Sequence, residues 1–141
     1  MTCEFDHVNL TVVDIERATE FLTLAFPDFR VRGGGESDHG DRHDKWIHLG
    51  TDDLYVCLNE TTEVRKVARN GTEETGLNHV GFIVDDVDDL LHKYEALGLK
   101  CAPTDETPSR KRLYVTDHDA LTWEFVEYLS DDPAVRNDYS V

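Results

Sequence analysis

Cysteine, lysine and long apolar runs are all scarce in this 141-residue chain, and each scarcity excludes something. The three cysteines, Cys3, Cys57 and Cys101, are odd in number, widely spaced and form no CxxC, so neither a disulfide framework nor a zinc knuckle is expected. Lysine and arginine together number 14 against 30 acidic residues, a formal charge of −16. Nucleic acid, whose phosphates require a basic footprint, is thereby excluded as a partner, and so is an anionic membrane surface. No apolar run approaches the roughly 18 residues of a membrane span. The N-terminus, Met1-Thr2-Cys3-Glu4-Phe5-Asp6, lacks the basic-then-apolar pattern of a secretory signal. A soluble, cytoplasmic, reducing setting is expected. The Asp-rich, Lys-poor balance also matches salt-adapted proteins, in which screening relieves self-repulsion.

What the chain does have is a core's worth of apolar residues, 39% with 9% aromatic, and an internal repeat. Phe5-Asp6-His7-Val8-Asn9-Leu10-Thr11-Val12-Val13-Asp14 returns as Leu77-Asn78-His79-Val80-Gly81-Phe82-Ile83-Val84-Asp85-Asp86. At this offset His7 falls on His79, Val8 on Val80, Val12 on Val84 and Asp14 on Asp86. Each segment alternates like a strand and ends at an aspartate able to cap a helix. Helical spacing follows both caps: Ala18, Phe21, Leu22, Ala25 and Phe26 before Pro27, then Val87, Leu90, Leu91, Tyr94 and Leu97 before Gly98.

Short extended stretches come next, Phe29–Arg32 and Leu99–Ala102. Each half then closes with a hairpin: Lys45–Leu49 with Leu54–Asn59, and Arg112–Thr116 with Leu121–Tyr128. The turns Gly50-Thr51-Asp52-Asp53 and Asp117-His118-Asp119-Ala120 carry suitable residues. Residues 61–76 read as the connection, with room for a helical turn around Val64–Ala68. The span from Gly33 to Asp44 reads as a mobile loop or lid, with Gly33-Gly34-Gly35 as a flexible turn. His39, His43 and His118 read as solvated loop histidines. The tail after Asp131 reads as an exposed end on which Val135, Tyr139 and Val141 are candidates to dock.

Alternation assigns faces. With Val8, Leu10 and Val12 under the helix, His7, Asn9 and Thr11 face the other way. His79 shares that parity, and Trp123 and Phe125 leave Thr122, Glu124 and Val126 on the side opposite their own. Two such modules facing one another would aim His7, His79 and Glu124 into one concavity. Two imidazoles and a carboxylate form a facial triad for a divalent metal, with positions left for water and substrate.

The repeated β-α-β-β-β pattern, the histidine in the first strand of each half, and the last strand around Trp123-Glu124-Phe125 resemble the vicinal oxygen chelate superfamily. That superfamily includes glyoxalase I, extradiol dioxygenases, fosfomycin-resistance proteins, methylmalonyl-CoA epimerase and bleomycin-binding proteins. The resemblance covers residues 5–128. It implies His7, His79 and Glu124 as ligands of Fe, Mn, Zn or Ni, and a substrate that chelates the metal through adjacent oxygens. Cys57 aligns with Glu124, where a glyoxalase I would carry a carboxylate or its amide, so the chain departs from glyoxalase I there. Cys57 reads as a small buried hydrophobe or as a soft fourth ligand favouring zinc. Glu60 is in register with Glu127, and both project from the opposite face. The resemblance to extradiol dioxygenases directs attention to His48 and Tyr114 as catalytic groups beside Glu124. Arg112 is a candidate to hold a substrate carboxylate by a forked pair of hydrogen bonds. Trp46, beside His48, and the pocket-facing Asn9 and Tyr55 join it as substrate-binding candidates.

The expected fold is therefore α+β: one domain over residues 1–141, with modules at 5–60 and 77–128. They would form a curved mixed sheet around a cavity, helices outside, in the glyoxalase manner. The expected partners are a small-molecule substrate and a second copy of the chain in a homodimer. The expected function is a metal-dependent lyase or extradiol-type dioxygenase, the alternative a metal-free small-molecule-binding protein.

Overall fold

In the computed structural model, which describes residues 5–39, 42–62, 76–104 and 107–139, both halves of the repeat have the same element order. The chain divides into two compact units, Met1–Arg65 and Lys66–Val141. The first contains β1 (His7–Val12), α1 (Ile15–Ala25), β2 (Arg30–His39), β3 (Arg42–Gly50) and β4 (Tyr55–Glu60). The second contains β5 (Val80–Ile83), α2 (Val87–Ala96), β6 (Lys100–Pro103), β7 (Arg110–Thr116), β8 (Thr122–Tyr128) and the short α3 (Pro133–Arg136). Each unit builds its own four-stranded mixed sheet, ordered β1-β4-β3-β2 and β5-β8-β7-β6. The first strand lies parallel to the last, and the other pairings are antiparallel. This is the α+β fold of paired βαβββ modules.

The alternation that defines the strands also sorts the core. In the first unit Leu10, Val12, Val56, Leu58 and Leu49 are buried together with Phe21 and Leu22 of α1. In the second, Leu113, Val115, Trp123 and Phe125 are buried with Val87, Leu90 and Tyr94 of α2. Each sheet thus spends one face on its helix and leaves the other for polar side chains. Tyr94 lies so deep that desolvation pushes its phenol far above the ordinary value.

The helix starts repeat in atomic detail. Asp14 accepts from the Arg17 backbone N–H at 3.0 Å, and Asp86 from that of Asp89 at 2.8 Å. A second carboxylate reaches each start from the last strand: Glu60 Oε2 accepts from Ile15 N–H at 3.1 Å, and Glu127 Oε2 from Val87 N–H at 2.9 Å. These acids on the helix side satisfy amide donors that a helix leaves open. At the far end of α2, Gly98 takes a φ of +72° and its N–H bonds the Glu95 carbonyl, closing the helix as a left-handed residue does.

One segment departs from the sequence expectation. Of the stretch from Gly33 to Asp44, expected as a loop or lid, Gly33 to His39 lie in β2 and β3 starts at Arg42, so the three glycines are not a flexible turn. Gly34 and Gly35 allow close approach instead. A Cβ on Gly35 would stand 3.2–3.3 Å from the Trp46 indole, and one on Gly34 only 2.6 Å from the Trp46 carbonyl oxygen. The register shift between Val31 and Gly33 leaves Arg32 as the extra residue of a bulge. His43 belongs to β3 rather than to a loop; Asp38 contacts its Nδ1 at 2.8 Å and raises the imidazole pKa. The side chain of His39 is outside the described residues, as are the helical turn expected at 64–68 and Val141. Val135 lies in α3. Tyr139 remains 80% exposed, with Arg110 beside its ring, and Arg136 stands 4.0 Å over Tyr128. Among the described residues no helix is long and apolar enough to cross a membrane.

Candidate active site

In the second unit, Glu124 occupies the middle of β8, flanked in register by Gly81 of β5 and Tyr114 of β7. Its neighbours Trp123 and Phe125 are locked in the core, which turns the carboxylate to the helix-free face. There Glu124 Oε2 meets His79 Nε2 at 3.1 Å, and Oε1 accepts the Tyr114 hydroxyl at 2.7 Å. His79 Nδ1 in turn lies 2.7 Å from Asn78 Oδ1. The Tyr114 ring stands edge-on to the His79 imidazole. Burial, reinforced by the bond to Glu124, raises the Tyr114 phenol above its ordinary pKa, while the Arg112 guanidinium pulls the other way. Tyr114 is thus held as an O–H donor. Arg112, two residues along β7 on the same face, has a buried Nε with no hydrogen-bond partner among the described residues.

The first unit presents the matching face. His7 Nδ1 lies 2.6 Å from Asp6 Oδ2, and its ring stacks on Tyr55 with centroids 4.7 Å apart and planes 14° from parallel. Donation from His7 holds the Asp6 carboxyl below its usual range, whereas burial and, after it, the Asp6 carboxylate raise the Tyr55 phenol. The aromatic row continues from Tyr55 to His48 at 4.4 Å and from His48 to Trp46 at 4.8 Å, with Arg32 at 4.5 Å over Tyr55. Asn9 accepts from Asn59 Nδ2 at 2.6 Å. Cys57 is buried, and desolvation pushes its thiol up, away from the thiolate that metal binding needs.

Of the residues singled out in the sequence, His79, Glu124, Tyr114 and Arg112 gather in the second unit. His7, Asn9, Trp46, His48 and Tyr55 gather in the first. His48 therefore sits with Tyr55 and Trp46, in a different unit from Tyr114 and Glu124. Among the described residues no group of three or more His, Cys, Asp or Glu side chains stands together as a metal site. The His79 nitrogen and the Glu124 oxygen stand together, 3.1 Å apart. A neutral imidazole nitrogen and a carboxylate oxygen are a donor set that Mn, Fe, Ni and Zn accept. Asp6, Asn78, Arg32 and Asn59 were not among the sequence candidates. Asp6 and Asn78 were detectable, because the repeat that pairs the histidines pairs the residues before them.

Two βαβββ modules, each with a histidine at or just before the start of its first strand and a polar face opposite the helix, define the class of vicinal oxygen chelate folds. Residues 4–125 match the family described as the Glyoxalase/Bleomycin resistance protein/Dioxygenase superfamily, and the chain belongs to it. Comparison with curated protein sequences gives no significant match. Among solved structures, the chain is similar to a glyoxalase family protein from Bacillus cereus, with TM-score 0.76 and 14% identity over 92% of this chain and 97% of that one. It is similar to a glyoxylase/bleomycin resistance protein/dioxygenase domain from Frankia sp. EAN1pec, with TM-score 0.71 and 23% identity over 94% and 96%. It is also similar to a mutant of the fosfomycin resistance protein FosX from Listeria monocytogenes, with TM-score 0.67 and 21% identity over 98% and 100%. That structure is a complex with Mn(II) and 1S,2S-dihydroxypropylphosphonic acid. At these identities the likeness establishes the fold.

Proposed function

We propose that the protein is a divalent-metal-dependent enzyme acting on a small, oxygen-chelating, anionic substrate, with His79, Glu124 and His7 as the metal ligands. The observation that carries this reading is the pairing of His79 Nε2 with Glu124 Oε2 at 3.1 Å on the helix-free face, an imidazole and a carboxylate that one divalent ion would accept together. His7 joins the pair because the repeat gives it the place of His79. When bound, the ion supplies Lewis-acid polarisation of the substrate's adjacent oxygens. The chain's own groups do the rest. Tyr114 donates a hydrogen bond at the carboxylate edge and is placed to pass that donation to a substrate oxygen. The Arg112 Nε–H, buried and without an acceptor among the described residues, marks a guanidinium that would suit an anionic oxygen. Asn9, Tyr55, Trp46 and His48 form the aromatic and amide wall against which the substrate orients. The FosX ligand, with neighbouring hydroxyls and a phosphonate, belongs to the same substrate class. The missing fourth carboxylate at Cys57 favours an extradiol-type or fosfomycin-resistance-type reaction over that of glyoxalase I. We further propose that the chain works as a homodimer.

One observation favours a metal-free binding protein instead: with its proton on Nε2, His79 would donate to Glu124 Oε2 at 3.1 Å while Tyr114 donates to Oε1, which leaves the carboxylate satisfied by protein groups. Metal analysis of untagged protein decides between the two. About one Mn, Fe, Ni or Zn per chain, lost in His79→Ala, is the expected result. A folded protein that takes up none of the four metals yet binds small ligands would establish the binder. With metal bound, oxygen uptake with catechols against isomerisation of a hemithioacetal separates dioxygenase from lyase.

A further inference from the structure

Asp6 and Asn78 hold the same place in the repeat, immediately before each histidine, and each sets a side-chain oxygen on that histidine's Nδ1, at 2.6 and 2.7 Å. Neighbouring residues of a strand point to opposite faces, but Asp6 precedes β1 and Asn78 and His79 both precede β5, so the pleat does not hold these neighbouring side chains apart. An ionised carboxylate can only accept, so His7 must carry its proton on Nδ1 to make the bond with Asp6. Nε2 is then left with its lone pair, the form in which imidazole binds a metal. Tyr55 strengthens this hold by stacking on the ring, with centroids 4.7 Å apart. His79 follows the same plan, its Nδ1 on Asn78 and its Nε2 turned to Glu124.

We propose that Asp6 and Asn78 are a matched pair of positioning residues that fix the tautomer and tilt of His7 and His79 so that each presents Nε2 to a metal. This rests on the metal reading above. Oxygen partners on the outer nitrogen of ligating histidines serve this purpose in metal sites generally, and their loss typically weakens metal binding about 10–100-fold. The two halves differ in one respect: Asp6 brings a full negative charge to His7 and Asn78 a neutral amide to His79. His7 is therefore the more electron-rich ligand, and truncation at Asp6 should weaken binding more than truncation at Asn78.

The test needs no turnover. In metal-free protein, long-range proton–nitrogen spectra of the imidazoles should show His7 protonated on Nδ1. In Asp6→Ala the proton should move to Nε2, while Asp6→Asn should largely keep the parental form. Mn(II) affinity, read by electron paramagnetic resonance, should fall about 10–100-fold in Asp6→Ala and by a smaller factor in Asn78→Ala, and recover in Asn78→Asp. The Asp6 side chain is 71% exposed, so its truncation leaves the core intact, and an unchanged Tm confirms folding. An Asp6→Ala protein that keeps the Nδ1 proton on His7, or keeps the parental Mn(II) affinity, overturns the proposal. Parent protein that takes up no Mn(II), while Asp6→Ala still moves the His7 proton, removes the metal reading but supports the hold of Asp6 on His7.

Discussion

Glu124 serves two neighbours at once, one oxygen for His79 and the other for Tyr114, and that division governs what each substitution does. The Tyr114 phenol is a charge-assisted donor at 2.7 Å on a partly buried carboxylate, and such bonds contribute about 1.5–3 kcal/mol. Tyr114→Phe should therefore lower stability by roughly 1–2 kcal/mol in denaturant melts while leaving Mn(II) affinity within a few-fold. The pH dependence has a definite sign. The folded-state pKa of Tyr114 is raised above its unfolded value near 10, so the folded chain holds the phenolic proton more tightly. Its contribution is complete below about pH 10 and disappears as pH climbs through the raised value. The stability gap between parent and Tyr114→Phe should accordingly be flat through neutrality and close only in strong alkali. A gap that closes by pH 9 would contradict the assignment of Tyr114 as a held donor. His79 and Glu124 were legible in the sequence because parity along a strand says which way a side chain turns. Parity carries no distances, so neither the Tyr114 bond nor the orphaned Nε of Arg112 followed from it.

Each module joins its last strand to its first helix through a carboxylate, Glu60 to Ile15 and Glu127 to Val87, a device repeated like the histidines. The parity of Glu60 and Glu127 was readable from alternation, which set them on the face away from Glu124. Their task was not, because it depends on β4 lying parallel to β1, and β8 to β5, so that each strand's end arrives beside a helix start forty or more residues distant. Caps of this kind contribute about 0.5–2 kcal/mol. Glu127→Ala should lower stability by about 1 kcal/mol and speed amide exchange in the first turn of α2, while leaving metal uptake at its parental level. Loss of metal in Glu127→Ala would show that this carboxylate works on the site face after all. The β2–β3 hairpin was the illegible element. Glycines at three consecutive positions erase the alternation that marks a strand, and the close approach of Trp46 to Gly34 and Gly35 exists only once β2 and β3 have paired.

At the scale of the molecule, duplication is the fact from which most else follows. It made the element order readable from the sequence, since two copies of one pattern corroborate each other, and it placed equivalent histidines at the starts of equivalent strands, His7 in β1 and His79 just before β5. It also distributes the proposed ligands unequally: His79 and Glu124 share a unit, and His7 belongs to the other. A homodimer of such chains can complete its metal centres by exchange between partners, and a mixing experiment tests this. His7→Ala and His79→Ala should each abolish tight Mn(II) binding when assembled alone. Refolded together in equal amounts, half of the dimers should pair one variant with the other. In a two-fold dimer with exchanged ligands, each such pair contains one centre with both histidines and one with neither, so about a quarter of the parental sites should return. Sites built within single chains would return none, and a chain that sediments as a monomer would exclude exchange. The net charge of −16 sets the conditions, because at low ionic strength two such chains repel one another and only added salt screens that repulsion to within a few ångströms. Refolding across a salt series should therefore raise the recovered fraction towards its quarter, while a His7→Ala sample carried alone through the same series should stay empty.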